Sequence, residues 1–333
     1  MAGHILNDQN RLSDQEFPLI SVLITAYNHE LYAETAIQSI LQQEGPFRLE
    51  VIYCDDASTD GTGTIIRELA NKDARLKPIL RHQNIGLVRN FADGLSQCRG
   101  DYIAYCDGDD FWLDDAKLSK QIDALNRYHD CSFCFHDVII SDASGNLSSN
   151  WSAGRKNQAW AEGLKCPEEF LKSKLITFHA TSVLFRRSCI DFNFLNKIGS
   201  NIKGLDFGLA VMLGAHGPGY YFKETMASYR KHDLSISAQR YSPNGLRAAL
   251  IEVAQLEKTI NEHYDNIFQE FVAENRWGHI VNTLYSLAGF SKTTGSIRIF
   301  IQFMSVGISS LAMRLISFRD FIYIVRTEFF RFW

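Results

Sequence analysis

An apolar and aromatic run, Tyr102, Ile103, Ala104, Tyr105 and Cys106, ends abruptly in Asp107-Gly108-Asp109-Asp110. The run has the alternating bulky side chains of a β-strand. Three carboxylates at its end repel one another, and burying them together is untenable without a cation among them. Oxygen ligands at a strand end suit a hard divalent ion, Mg²⁺ or Mn²⁺, which normally arrives with the phosphates of a substrate. Taken alone, the same residues also read as a solvated acidic turn, since Asp and Gly are common turn formers. The rest of the chain decides between the two.

The preceding segments alternate strands with helices. Residues 19–24 form a short apolar run that enters the polar stretch Thr25-Ala26-Tyr27-Asn28. Leu31, Ala33, Ala36, Ile37, Ile40 and Leu41 then make a helical stripe. Residues 49–54 read as a second strand, followed by Asp55-Asp56-Ala57-Ser58-Thr59-Asp60-Gly61. A helix over 64–70, a strand over 78–80 and a helix over 87–98 lead to the strand at 102–106. This alternation predicts a mainly parallel α/β sheet with right-handed crossovers, in which ligands bind beyond the carboxyl ends of the strands. Tyr27, Asp56 and the acidic quartet all fall at such ends, which favours a binding site over a turn.

Four blocks in this order resemble the nucleotide-sugar-binding half of family 2 glycosyltransferases of the GT-A fold. They are Ser21 to Asn28, Val51 to Thr62, Asn84-Ile85-Gly86-Leu87-Val88-Arg89-Asn90, and Gly100-Asp101-Tyr102-Ile103 leading into Asp107–Asp110. The resemblance covers 18 to about 115 and departs at Ala26, where proline or another small residue often stands. It implies a donor site in which Tyr27 borders or stacks on the base, with Thr25 and Asn28 beside it. It also implies that Asp56 accepts from a base N–H, which favours uracil or thymine. Asp107 and Gly108 would lie at the nucleoside end, Asp109 would ligate the metal, and Asp110 would support the metal or the acceptor side. Arg89 reads either as a counter-charge to phosphate or as an exposed helix-face arginine, and Asp55 either as a contact or as a capping aspartate.

Further along, residues 131–140 read as a strand, and so do residues 178–185. Cys131 and Cys134 would point to opposite faces of their strand, against a zinc site with His129 and His136. The Ser-, Asn- and Gly-rich stretch 141–163 reads as an irregular, mobile segment near the acceptor. Asp206 opens an apolar helix and reads as an N-cap from its position alone. The resemblance makes it the general base, with Leu205 where many members carry a first acid. Tyr229-Arg230-Lys231-His232, continuing through Ser235 and Ser237, matches a family segment that folds back over the donor. There Arg230 would neutralise the diphosphate, and His232 would complete the metal shell, touch a phosphate, or serve the fold.

Composition narrows the remaining classes. A net charge of -4 gives no general case for nucleic acid. The seven cysteines lack a disulfide spacing, which points to a reducing compartment, and residues 1–17 read as a polar tail without a signal-peptide layout. Gly61-Thr62-Gly63 lacks the third glycine of a dinucleotide loop, since position 66 is Ile, and no Gly-Lys-Ser/Thr phosphate loop occurs. Residues 246–290 carry helical spacing, and 297–333 combine Arg298, Arg314, Arg319, Arg326 and Arg331 with many apolar side chains. Such helices suit a membrane interface or packing against a core or a second subunit, whereas Gln302, Arg314 and four serines make 300–318 poor as a span.

The expectation is therefore an N-terminal tail (1–17), a GT-A domain (18–240, divided near 115 into donor and acceptor halves) and a helical C-terminal region (241–333). The implied activity is inverting, Mg²⁺- or Mn²⁺-dependent transfer from a UDP- or dTDP-sugar to a glycan or lipid-linked hydroxyl. Its place would be surface polysaccharide or lipopolysaccharide assembly on the cytoplasmic side, with membrane contact through 293–333 or homo-oligomer formation. A sugar nucleotidyltransferase and an inactive sugar-nucleotide-binding protein are the alternatives.

Overall fold

The computed structural model describes residues 17–150, 160–167, 169, 178–199, 205–236, 238, 243–265 and 267. The N-terminal half alternates as expected: β1 (Leu19–Ala26), α1 (Ala33–Leu41), β2 (Arg48–Asp55), α2 (Thr62–Lys72), β3 (Leu76–Leu80), α3 (Leu87–Gln97) and β4 (Tyr102–Asp107). Next come β5 (Phe111–Trp112), α4 (Lys117–Arg127), β6 (Phe133–Ser141), β7 (Leu147–Asn150), β8 (Gly163–Lys165) and β9 (Leu184–Arg186). Helices α5 (Phe192–Ile198) and α6 (Leu205–Gly214), strand β10 (Gly219–Arg230) and helix α7 (Pro243–His263) follow.

The strands form one sheet in the order β3-β2-β1-β4-β9-β6-β10-β5, with β7 on β6 and β8 on β10. β1, β2, β3 and β4 pair in parallel, as do β6 and β10, while β9 runs antiparallel between β4 and β6. Helices cover both faces, so β1 and β4 are apolar along nearly their whole length. The period of two divides the core. Ile20, Val22 and Ile24 of β1 pack toward α1 and α4, whereas Leu23 packs toward α3 with Phe91 and Leu95. Helix α7 belongs to this second layer through Leu256 and Ile260, and His263 Nε2 lies 2.7 Å from Asp191 Oδ2, the N-cap of α5.

Register brings the loops together. Thr25 lies opposite Asp107 and Ala26 opposite Asp55, so β1, β2 and β4 end level with one another. The Gly108 amide donates to Thr25 O (2.9 Å) and the Asp56 amide to Ala26 O (2.8 Å), which carries the alignment into the loops.

Two segments differ from the sequence reading. Of 178–185, only the end is strand; Ala180–Ser182 form a 3₁₀ turn. Side chains take the backbone groups that a ladder would use: the Ala180 amide donates to Asp206 Oδ1, Trp112 Nε1 donates to Thr181 O, and Gln121 Nε2 donates to Ser182 O. The polar stretch after 141 begins as a hairpin, with β7 paired to β6. Asp142 builds its turn, accepting from the Ser144 and Asn146 amides at 2.9 Å each, and Gly145 adopts φ +88°. Helix α7 accounts for the start of the predicted C-terminal helices. Residues 1–16, and the basic stretch 293–333 with its expected membrane or subunit contact, lie outside the described residues.

At the opposite end of the strands, Glu50 is 3% exposed and ties three of them together. It accepts from Ser21 Oγ (2.6 Å), Lys77 Nζ (2.5 Å), the Arg99 amide (2.8 Å) and Arg99 Nη2 (2.9 Å). Burial alone would raise its pKa, but the Lys77, Ser21 and Arg99 bonds bring it down from 4.5 to about 2. A carboxylate with a depressed folded pKa stabilises above its unfolded pKa and loses that contribution as pH falls toward the folded value. Glu50→Ala is expected to cost about 1.5–3 kcal/mol in urea denaturation at pH 7, with the deficit shrinking between about pH 4.5 and pH 2. An unchanged deficit across that window would refute the ionic role.

Candidate active site

The acidic quartet is held as a tight turn between β4 and β5. The Asp110 amide donates to Asp107 O (3.0 Å), and Phe111 and Trp112 of β5 pair with Ser228 and Ala227 of β10. Gly108 has a steric reason: a Cβ there would lie 2.8 Å from both Ala26 Cβ and His29 Nδ1. The glycine lets the turn press against the end of β1.

Arg230 holds the turn from behind. Its amide donates to Asp110 Oδ1 (2.9 Å), its Nε to Asp109 O (2.8 Å) and its Nη1 to Ala143 O (3.0 Å). The guanidinium lies over the rings of Tyr32 (4.8 Å) and Phe111 (4.9 Å), and the residue is 5% exposed. The resemblance implies a phosphate contact for Arg230; in the structure its Nε holds Asp109 O of the acidic turn and its Nη1 holds Ala143 O of the β6–β7 turn.

The three carboxylates take different surroundings. Asp107 Oδ1 accepts from the Tyr105 hydroxyl (2.5 Å), which also lies 2.6 Å from Thr25 Oγ1. Burial pushes Asp107 well above the usual carboxylate range; the charges of Asp109 and Asp206 add to this, and the Tyr105 bond opposes it. Asp110, 1% exposed, is also pushed well up by burial and by Asp109 and Asp107, against the opposing pull of Arg230. Burial works on Asp109 in the same direction, yet His29 and His232 outweigh it and hold this carboxyl below its ordinary value. His232 Nε2 lies 3.0 Å, and His29 Nε2 3.9 Å, from Asp109 Oδ2.

Asp110 Oδ2 has no hydrogen-bond partner among the described residues and faces His179 Nδ1 at 3.6 Å. Asp107, Asp110 and His179 each offer a ligand atom, all within 4.8 Å of one another. Two carboxyl groups whose ionisation burial and mutual repulsion oppose, joined by an imidazole nitrogen, form a donor set that a divalent cation fits. The sequence reading paired Asp109 with His232 as ligands. The structure does bring those two together, and it adds His179 and His29, which no motif singled out.

The other predicted residues are distributed around this centre. Tyr27 is 45% exposed at the end of β1, with its ring open to a ligand. Asn28 sits at φ +59° and serves the loops: its Oδ1 accepts from the Thr59 amide (2.8 Å), and its own amide donates to Ser58 Oγ (2.8 Å). Asp56 is 4% exposed and accepts from the Ile85 and Gly86 amides at 2.8 and 2.9 Å, fixing the entry to α3. Arg89 is exposed on α3 and lines an open groove with Phe192 and Leu195 of α5. Asp206, half-buried in the first turn of α6, is close enough to the acidic strand end for its charge to raise both Asp107 and Tyr105.

Residues 21–190 match the sequence model of Glycosyl transferase family 2. The chain belongs to this family. An uncharacterized protein of Mycobacterium tuberculosis (strain H37Rv), Rv1520, is 36% identical over 224 residues, 67% of this chain. The chain spans 62% of the length of that relative. TuaG of Bacillus subtilis (strain 168), named as a teichuronic acid biosynthesis glycosyltransferase, is 36% identical over 148 residues, covering 44% of this chain and 58% of its own. Among solved structures, S. aureus TarS 1-349 in complex with UDP-GlcNAc superposes with a TM-score of 0.53 at 17% identity, covering 80% of this chain and 81% of that one. The shared fold is the GT-A fold, with its mixed, mostly parallel sheet.

The packing of Arg230 makes a direct prediction. Arg230→Lys keeps the charge but loses the forked hold on two carbonyls, and is expected to lower stability by about 1–3 kcal/mol in urea denaturation. Wild-type stability in this variant would show that the fork contributes nothing to holding the turn.

Proposed function

We propose that the chain transfers a sugar from a nucleoside-diphosphate donor to a hydroxyl acceptor by direct displacement, with inversion and with dependence on Mn²⁺ or Mg²⁺. The observation that carries this reading is the meeting, at one sheet edge, of the β4 acids with Asp206 of α6. Asp206 Oδ1 is anchored by the Ala180 amide (2.9 Å), while Oδ2 has no hydrogen-bond partner among the described residues. A carboxylate held by one oxygen and open at the other suits a general base, which needs hydrogen-bond reach to the acceptor hydroxyl.

Asp109 and His232 are proposed cation ligands at the mouth of the site, with Asp107 between the cation and the nucleoside and Asp110 supporting the cation from behind. The cation, when bound, holds the diphosphate and offsets the negative charge that builds on it as it leaves. Tyr27 supplies a ring face for the base. Asp56, each of whose oxygens accepts one backbone amide and keeps a further lone pair, is proposed to accept the base N–H, which favours uracil or thymine. A uracil donor has support from the UDP-GlcNAc held by TarS, and surface polysaccharide assembly from the name of TuaG. The acceptor is proposed to be a glycan or lipid-linked hydroxyl at the cytoplasmic membrane face. No helix of the described residues is long and apolar enough to cross a membrane.

Two substitutions test the assignment. Asp206→Asn is expected to lower kcat by about 10²–10⁴ while donor affinity, followed by calorimetry with UDP-, dTDP- and GDP-sugars, stays at the wild-type value. Loss of donor binding in that variant would mark Asp206 as a structural cap. Asp109→Asn should abolish metal-dependent turnover, and activity retained with its Mn²⁺ requirement intact would remove Asp109 from the cation site.

A further inference from the structure

We infer that His179 supplies a nitrogen ligand to the cation of this site, together with Asp107 and Asp110, and that it biases the site toward Mn²⁺ over Mg²⁺. This rests on the cation-dependent transferase reading above and adds a residue that none of the four sequence blocks contains. Three observations carry it. The ligand atoms of Asp107, Asp110 and His179 all lie within 4.8 Å of one another, and those of Asp110 and His179 are 3.6 Å apart. Ligands about 2.1 Å from an octahedral ion stand roughly 3 Å apart when adjacent and about 4.2 Å apart when opposite. The three groups therefore have to close only slightly around an ion.

The second observation is Asp110 Oδ2, a carboxylate oxygen in a side chain 1% exposed, with no hydrogen-bond partner among the described residues and aimed at the imidazole. A buried carboxyl oxygen left without a partner is costly, and a cation between it and the imidazole removes that cost. The third is the mounting of His179. Its ring packs against Tyr229 (centroids 4.3 Å apart), and the next residue, Ala180, donates its amide to Asp206. The imidazole is thus held on the same 3₁₀ turn that holds the proposed base. Mg²⁺ takes oxygen ligands, whereas an imidazole nitrogen is accepted by first-row transition ions, which gives His179 its effect on ion choice.

The test is Mn²⁺ binding to the full chain, followed by electron paramagnetic resonance, with Mg²⁺ competition and pulsed detection of nitrogen coupled to the bound ion. His179→Gln is expected to weaken Mn²⁺ by at least about tenfold, to remove a histidine nitrogen coupling and to narrow the Mn²⁺ over Mg²⁺ preference. A His29→Gln/His232→Gln double variant should still show nitrogen coupling. That sample keeps the inference testable if His179→Gln does not fold. Wild-type affinity and coupling in His179→Gln, or coupling lost from the double variant, would overturn the assignment to His179 while leaving the cation reading standing. A wild-type chain that binds no Mn²⁺ in the presence of UDP would overturn both.

Discussion

Everything at the acidic end of this fold depends on placing three carboxylates within a four-residue turn, with Asp110 buried and Asp107 and Asp109 partly so. Coulomb repulsion between such groups grows as the surroundings become less polar, so each needs its own counter-group. Asp110 takes the Arg230 amide, Asp109 takes two imidazoles, and Asp107 takes the Tyr105 hydroxyl. These partners come from β10 and the segment after it, from the loop after β1, and from β4 itself. The site therefore exists only once both halves of the sheet are joined.

The two ends of the strands handle buried acid in opposite ways. At the amino end, Glu50 is surrounded by Lys77, Arg99 and Ser21, and its pKa falls to about 2. At the carboxyl end, Asp107 and Asp110 are pushed well up, and one oxygen of Asp110 lacks any hydrogen-bond partner among the described residues. A compensated charge stabilises the fold, whereas an undercompensated cluster is ready for a cation or substrate.

Much of this was legible in the residues. The alternation through residue 107 predicted the strands and helices of the first half, because apolar runs of period two and stripes of period 3.6 have few other solutions. The positions of the acidic turn and Tyr27 at strand ends, and of Asp206 at a helix start, were legible because the apolar periodicities break there. Other features were not. The run 178–185 has strand composition, yet the Asp206, Trp112 and Gln121 side chains capture backbone groups of its 180–182 turn. The packing of Arg230 over Tyr32 and Phe111 was not legible, because its motif says nothing of those rings. The bonds from the Ile85 and Gly86 amides to Asp56 were not legible, because those residues lie well beyond any local pattern.

By itself the sequence determined the parallel first half of the sheet and the strand ends where the acidic turn lies, since these follow from side-chain periodicity and from the handedness of crossovers. Only the tertiary structure decided how the acids divide their roles. His29, His179 and His232 come from three separate segments, and which carboxylate each imidazole meets depends on distances of 3 to 4 Å set by packing across the whole sheet. Electrostatic pairing is that steep in distance, and no local pattern of residues encodes it.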